Sequence, residues 1–300
     1  MLQLHEVSKT YSGGVLALNH VSLQIEQGLF GLLGPNGAGK SSLMRTLATL
    51  QQPDSGSISM RVGSGETLQW QGNDQQVRHL LGYLPQQFGV YRGISALRLL
   101  DHLALLKGIV DSKIRKMEVE ALLDMVNLWE RRHDQVAEFS GGMKQRFGIA
   151  QALLAQPELI VVDEPTAGLD PLERNRFHNL LAELGQQAIV ILSTHIVEDV
   201  ADLCDQIAIL ANGKVMAQGD IDTLTDPNAT TIWQLILSRE EVALFEEHPR
   251  LISKQLKRGQ FELRFYGQHS PAPQAKQVPP ALEDIYFTVL AQHQLLQPSS

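Results

Sequence analysis

A chain of 300 residues with 25 Lys+Arg against 33 Asp+Glu carries a formal charge of −8. Hydrophobic residues at 43% and charged residues at 19% exclude disorder as the main state, and the length admits one large or two modest domains. The acidic balance argues against a nucleic-acid partner. The single cysteine, Cys204, cannot make an internal disulfide, so nothing points to an oxidising compartment. No apolar run reaches the roughly 18 residues a membrane span needs, and the first residues, MLQLHEVSKTY, lack the basic and apolar regions of a secretory signal. The expectation is a soluble chain of a reducing compartment, with any membrane role borrowed from a partner.

Residues 2–33 read as strands. LQLHEVSKTY and HVSLQIEQG alternate apolar and polar residues across Ser12-Gly13-Gly14, and GLFGLL (28–33) is a near-continuous apolar run, as in a strand buried on both faces. A helix follows, with Leu43, Leu47 and Leu50 at i, i+4 and i+7, stopped by Pro53-Asp54-Ser55-Gly56. Residues 94–155 are helix-rich. Leu97, Leu100 and Leu103-Ala104 share one helical face; Val119, Leu122, Leu123 and Val126 share another. Then strands and helices alternate: LIVVDE (159–164), a helix near 172–185, AIVILST (188–194), a helix near 196–204 and QIAILANG (206–213), which predicts parallel β-α-β units. After about Thr225 the composition shifts. Residues 228–267 read as a small α+β unit of TIWQLILS, a polar helix around REEVALFEEH, and QFELRFYG. The segment 269–280, with 4 of the 13 prolines, reads as an extended linker before a short amphipathic helix, ALEDIYFTVLAQH. The division is a catalytic module over 1–224, with its helical part at about 88–155, and an accessory region over 225–300.

Gly34-Pro35-Asn36-Gly37-Ala38-Gly39-Lys40-Ser41 matches G-x-x-x-x-G-K-[ST] and lies between a buried strand and a helix, where that motif belongs. Glycines let the backbone turn successive N–H groups toward phosphate oxygens, and the helix N-terminus adds its positive dipole. Lys40 is placed to reach the β/γ-phosphates of a nucleotide, Ser41 to ligate Mg²⁺, and Ser42 continues the cradle. LIVVDEP (159–165) delivers Asp163 for the Mg²⁺ shell and Glu164 to polarise an attacking water. FSGGMKQR (139–146) opens a second helix, with Ser140 as cap and Gly141 and Gly142 allowing close backbone approach; this is a second anion site.

Two phosphate-binding helix ends in one chain, with DEP soon after the second, resemble the ATP-binding-cassette (ABC) ATPases. Their signature reads Leu-Ser-Gly-Gly-Gln; Phe139 and Met143 depart from it. The resemblance implies an α/β P-loop NTPase core with a mostly parallel sheet, an antiparallel β subdomain and a helical subdomain. It implies ATP and Mg²⁺ as cofactors, with further family positions following in order. Tyr11 falls at the adenine-stacking aromatic. Gln86 matches the glutamine that touches Mg²⁺ and the attacking water, with Gln87 leaving a register alternative. Ala167-Gly168-Leu169-Asp170 matches the loop that crosses the dimer interface, and His195 the histidine at the γ-phosphate. Glu164, His195, Lys40 and Gln86 are thus the expected catalytic set, and Ser41, Gln86 and Asp163 the expected Mg²⁺ set.

In the family, two such chains meet head to tail, so each ATP lies between one P-loop and the partner's signature. With one set of motifs here, the partner is a second copy or a homologue, and a homodimer would have two competent sites. The resemblance also implies an integral membrane permease as partner, received by the helical subdomain, with Phe88, Tyr91 and the rest of 87–105 as the place to look. No nucleic-acid partner is expected. The location implied is cytoplasmic, peripheral on the inner face of the cell membrane. The closing Leu282-Glu283-Asp284-Ile285-Tyr286-Phe287 resembles the drug-resistance and antibiotic-export ATPases, hence the expectation of an exporter. Against a DNA-repair ATPase, only 54 residues separate Gln86 from Ser140, too few for a long coiled coil. Against a translation factor, there is one cassette. A regulatory or scaffold cassette stays open.

Overall fold

The computed structural model describes residues 1–293 except Ser64, Gln87, Phe88, 90–92, Ala167 and Gly168. The chain begins with β1 (Leu2–Thr10), β2 (Leu16–Ile25), β3 (Gly28–Leu33) and α1 (Lys40–Leu47). The apolar alternation of β1 and β2 is matched by an antiparallel register, Leu4 opposite Leu23 and Val7 opposite Val21. Helix α1 stops at Leu47. Leu50, expected on its apolar face, lies beyond the C-cap and is exposed. Residues 55–84, where no alternation stands out, supply β4 (Ser55–Val62), β5 (Glu66–Gln69), α2 (Asp74–Leu80) and β6 (Leu81–Leu84). The serines of SGSISMRV mask β4: only Ile58 and Met60 of that strand are buried.

The helix-rich section contains α3 (Ala96–Leu106), α4 (Ser112–Met125) and α5 (Gly141–Ala152). Each has a side-chain N-cap, from Ser95, Asp111 and Ser140 respectively. In α4, Val119, Leu122 and Leu123 are buried as the spacing predicts; in α3, Leu100 and Ala104 are, but the face is turned so that Ala96 and Leu99 are also buried and Leu97 and Leu103 only partly so. The alternation resumes with β7 (Leu159–Asp163), α6 (Pro171–Gly185), β8 (Ile189–Thr194), α7 (Val197–Leu203), β9 (Gln206–Ala211), β10 (Lys214–Asp220) and the short α8 (Ile221–Leu224).

Two sheets build the cassette. One is antiparallel, ordered β2-β1-β4-β5; the other has six strands, β10-β9-β3-β8-β7-β6, parallel except for β10. The parallel strands are apolar on both faces because both faces are covered. Phe30, Leu32, Val161 and Ile191 face the antiparallel sheet and α1. Leu33, Val162, Leu192 and Ile209 join the opposite core, shared with α3–α7.

The C-terminal region comprises β11 (Ile232–Leu237), β12 (Leu251–Lys257), β13 (Gln260–Tyr266), β14 (Lys276–Val278) and α9 (Leu282–Gln292). Two expectations are corrected here. The polar helix around 239–248 is only a 3-10 turn at Val242–Leu244, and a strand, β12, follows it. Charges in REEVALFEEH leave no continuous apolar face, and Val242, Phe245 and Leu251 instead seal one side of the small sheet. The proline-rich 269–280 segment is not a free linker: Lys276–Val278 pairs antiparallel with β11, the prolines flanking rather than interrupting the pairing. Helix α9 packs on α7 and α8, and Leu282, Ile285, Tyr286 and Leu290 belong to the cassette's own core.

Candidate active site

Strand register assembles the site. Parallel pairing sets Leu84 beside Val162, Asp163 beside Ser193 and Leu33 beside Thr194. The residues that leave these strands at their carboxyl ends therefore emerge on one edge: Gln86 after β6, Glu164 after β7, His195 after β8 and Gly34 after β3. Ligands of open parallel sheets bind at this edge.

The loop from Gly34 to Gly39 delivers α1. Gly39 occupies the N-cap with φ +105°, and a Cβ there would run into the Ala17 carbonyl oxygen, so only glycine fits. No side chain caps α1, in contrast to α3–α6, which leaves its first N–H groups available to an anion. Lys40 is 5% exposed; its Nζ donates to the Gly34 carbonyl at 2.6 Å and the Pro35 carbonyl at 3.2 Å, and lies 4.0 Å from Glu164 Oε1. Burial lowers its pKa from the ordinary lysine value, and the charges of Glu164 and Asp163 oppose that shift.

Glu164 leaves β7 with φ +48°, a conformation that costs a non-glycine residue about 1 kcal/mol or more. Its N–H donates to the Ser193 carbonyl at 2.9 Å. Its carboxylate accepts from Gln86 Nε2 at 2.9 Å and lies 3.2 Å from His195 Nδ1. The four residues expected to be catalytic, Lys40, Gln86, Glu164 and His195, thus meet around one carboxylate. Asp163 is buried one position earlier and accepts from the Ser193 hydroxyl.

The donors fit a Mg²⁺–nucleotide. Among the described residues no cluster of His, Cys, Asp and Glu could hold a metal alone. A hard cation that keeps its waters and a substrate phosphate needs only a carboxylate and one or two neutral oxygens. Asp163, the Ser41 hydroxyl and the Gln86 amide oxygen, left free by the Nε2 bond to Glu164, are such a set.

The remaining expected residues are placed as follows. Tyr11 follows β1; its hydroxyl donates to Gln51 Oε1 at 2.8 Å and lies 3.2 Å from Ser42 Oγ, which holds a partly exposed ring beside α1. Ser140 caps α5, accepting from Met143 N–H at 3.2 Å, and Gly141 has open space around it. Among the described residues, Ser140, Gly141 and Gly142 make no hydrogen bond to the Lys40–Glu164 cluster. Asp170 caps α6, accepting from Glu173 N–H at 2.9 Å; Ala167 and Gly168 of that loop lie outside the described residues, as do Phe88 and Tyr91. Phe139, in place of the family leucine, is buried edge-on against Phe147, with centroids 6.4 Å apart.

Several functional-looking contacts were not expected. Gln145 of α5 donates to the Pro165 carbonyl, so the signature helix touches the loop that follows Glu164. Asp199 of α7, fully buried, gathers Thr166, Arg174 and His178. The only sequence signal was an aspartate in an otherwise ordinary first helical turn. Ser193 was foreshadowed by the polar end of AIVILST.

The ABC transporter family profile matches residues 18–167. Among curated relatives, the uncharacterized ABC transporter ATP-binding protein YxlF of Bacillus subtilis (strain 168) is 34% identical over 83% of this chain and 81% of its own length. The linearmycin resistance ATP-binding protein LnrL of the same strain is 35% identical over 79% and 75%. The methionine import ATP-binding protein MetN 1 of Acinetobacter baylyi is 33% identical over 82% and 71%. Among solved structures, an ATP-binding subunit of an ABC transporter superposes with TM-score 0.67 at 28% identity, covering 76% of this chain and 93% of that one. A bacterial ABC cassette solved as a dimer in a post-hydrolysis state with ADP and phosphate gives 0.65 at 26% identity, over 73% and 98%. The chain belongs to the ABC transporter family, as an ATP-binding subunit that uses Mg²⁺ and hydrolyses ATP.

Proposed function

We propose that two copies of this chain close around two ATP molecules and that this closure drives a separately encoded membrane permease in export. The observation that carries the reading is the gathering of Lys40, Gln86 and His195 on Glu164, while Ser140–Gly142, the other proposed phosphate-binding helix end, make no hydrogen bond to that cluster among the described residues. Each chain then holds an incomplete site, which a second copy completes. The dimeric cassette with ADP and phosphate is in keeping with this.

In this reading the P-loop amides and Lys40 bind the phosphates, and Tyr11 presents its ring to the base. Bound Mg²⁺, held by Ser41, Asp163 and Gln86, supplies charge neutralisation at the phosphate oxygens. Glu164 takes a proton from the attacking water. Gln86 and His195 hold its carboxylate and line the γ-phosphate position, and Asp170 seats the loop at the dimer seam. Hydrolysis removes the charge shared across the interface, and the dimer opens.

A permease is supported by a groove between the core and the helical subdomain. It has a cavity volume of about 640 Å³ and is lined by Leu50, His79, Tyr83, Leu103, Leu106 and Leu154 among others. It takes in Leu103 of the 87–105 segment singled out from the sequence and draws otherwise on α2, β6, the end of α3 and the end of α5. Among the described residues no helix is long and apolar enough to cross a membrane, so anchoring at the inner face of the cell membrane falls to the permease. Export rests on the Leu282–Phe287 segment and on the likeness to LnrL; MetN 1, at similar identity, carries an import name.

The test is Glu164→Gln. It is expected to bind ATP, to hydrolyse it at least about a hundredfold more slowly, and to run as an ATP-dependent dimer that retains an integral membrane protein from detergent-solubilised native membranes. Undiminished hydrolysis removes the assigned role of Glu164. Retention of ribosomes, DNA or only soluble proteins removes the transport claim.

A further inference from the structure

We propose that Asp199 is a positioning residue for ATP hydrolysis: its buried carboxylate ties the loop that carries Glu164 to the helix that follows His195. The proposal rests on the reading of Glu164 as the base.

Asp199 sits in the first turn of α7 with no solvent exposure. One oxygen accepts from Thr166 Oγ1 at 2.6 Å. The other accepts from Arg174 Nε at 2.6 Å and faces His178 Nε2 at 3.1 Å, and Arg174 Nη2 closes a second bond of the guanidinium. A buried carboxylate needs its charge neutralised, and the Arg174 guanidinium, on Asp199 through two nitrogens, does that by itself. The Thr166 contact is therefore not required to keep the charge buried. It makes a connection between segments.

Thr166 is two residues beyond Glu164, and the residue between them is Pro165, whose φ is fixed by its ring. Glu164 itself is held at φ +48°. Pro165 leaves little backbone freedom between the Thr166 anchor and Glu164, so the anchor sets where the Glu164 backbone points, and Gln86 and His195 hold the carboxylate beyond it. On the other side Asp199 lies four residues after His195, across a turn closed by Ile196 N–H donating to Thr194 Oγ1 at 3.0 Å. The 3.2 Å approach of His195 to Glu164 spans two separate segments; the Ser193 hydroxyl on Asp163 and the Ser193 carbonyl join them up to Glu164, and Asp199, through Thr166, joins them beyond it. A displacement of about 1 Å would break that approach. Gln145 donates to the neighbouring Pro165 carbonyl, so the loop is gripped from two sides.

The experiment compares Thr166→Val and Thr166→Ser in the full chain by steady-state ATP hydrolysis, fluorescent-nucleotide binding and thermal melting. Valine keeps the shape and deletes the hydroxyl; serine keeps the hydroxyl. The expected result is a kcat about tenfold lower for Thr166→Val, with KM and nucleotide affinity within about twofold of wild type and restoration to within about twofold by Thr166→Ser. A Thr166→Val protein with wild-type kcat overturns the proposal, as does a loss that serine fails to restore. If Thr166→Val does not fold, Thr166→Ala carries the same comparison. Run alongside, a Glu164→Gln protein that still turns over would overturn the reading of Glu164 instead.

Discussion

Glu164 shows how a strained residue is kept in place. Its left-handed backbone is offset by its N–H bond to Ser193, by Gln86 and by the His195 contact, each of the order of 1 kcal/mol. Those partners come from the ends of two other strands, β6 and β8, so the conformation exists only once the sheet has formed. A second residue reports on the same neighbourhood. Cys204 closes α7, is buried, and has its thiol pushed up to about 12, first by burial and then by the charges of Asp205 and Asp199. At pH 8 its thiolate population falls roughly 10³-fold below that of a free cysteine. Cys204 is expected to be silent to a thiol reagent in the native protein and to titrate as one thiol in guanidinium. Rapid native reaction would mean that the α7–β9 junction opens readily.

Helix α9 gives the closing Leu-Glu-Asp segment its physical content. Leu282 enters the cassette core. Asp284 is buried, accepts from Ala281 N–H at 2.8 Å at the helix start and pairs with Arg264 of β13; Glu283 takes a weak 3.4 Å bond from Gln255 of β12. The helix is thus a wedge between α7 and the accessory sheet. Burial raises the Glu283 pKa, and Glu198 and Asp284 raise it further, against Arg264 and Lys257. A carboxyl whose folded pKa lies above its unfolded value of about 4.3 favours the fold while protonated. That stability is lost as the pH climbs from there through the raised folded value. Glu283→Gln is therefore expected to raise Tm by about 1–2 °C at pH 7, with the gain disappearing near pH 4. An equal gain at both pH values would exclude the charge as its cause.

At the scale of the molecule, the two helix ends proposed to bind phosphate are built differently. Helix α1 begins uncapped beside Glu164, whereas α5 is capped by Ser140 and presents Gly141 to open space. Gly141→Asp separates fold from assembly. Its Cβ would meet no atom within 4 Å, and a carboxylate in the first turn favours the helix, so Tm is expected to hold or rise slightly. If this end meets the partner's γ-phosphate, the added charge repels it. Hydrolysis is then expected to fall on the order of a hundredfold while ATP binding to the chain's own P-loop persists. Wild-type turnover in this variant would mean that Gly141 does not approach a phosphate.

What the sequence determined by itself were the local elements whose chemistry is written in a few consecutive residues: the Gly34–Ser41 loop, the Asp163-Glu164 pair after an apolar strand, the parallel alternation that brings those two to one edge, and the Ser140 cap. These are short-range requirements of backbone conformation, capping and strand period, and each leaves a direct trace. Tertiary structure decided the rest. Asp199 reads as a routine helical acid until Thr166, Arg174 and His178 arrive from elsewhere. Strands β4, β5 and β12 are stabilised by partners across a sheet more than by their own pattern. Whether 269–280 is a linker or an edge strand depends on β11 being beside it. The physical reason is common to all three: a buried charge, a strand edge and a helix face acquire meaning only from what covers them, and the covering residues are remote along the chain.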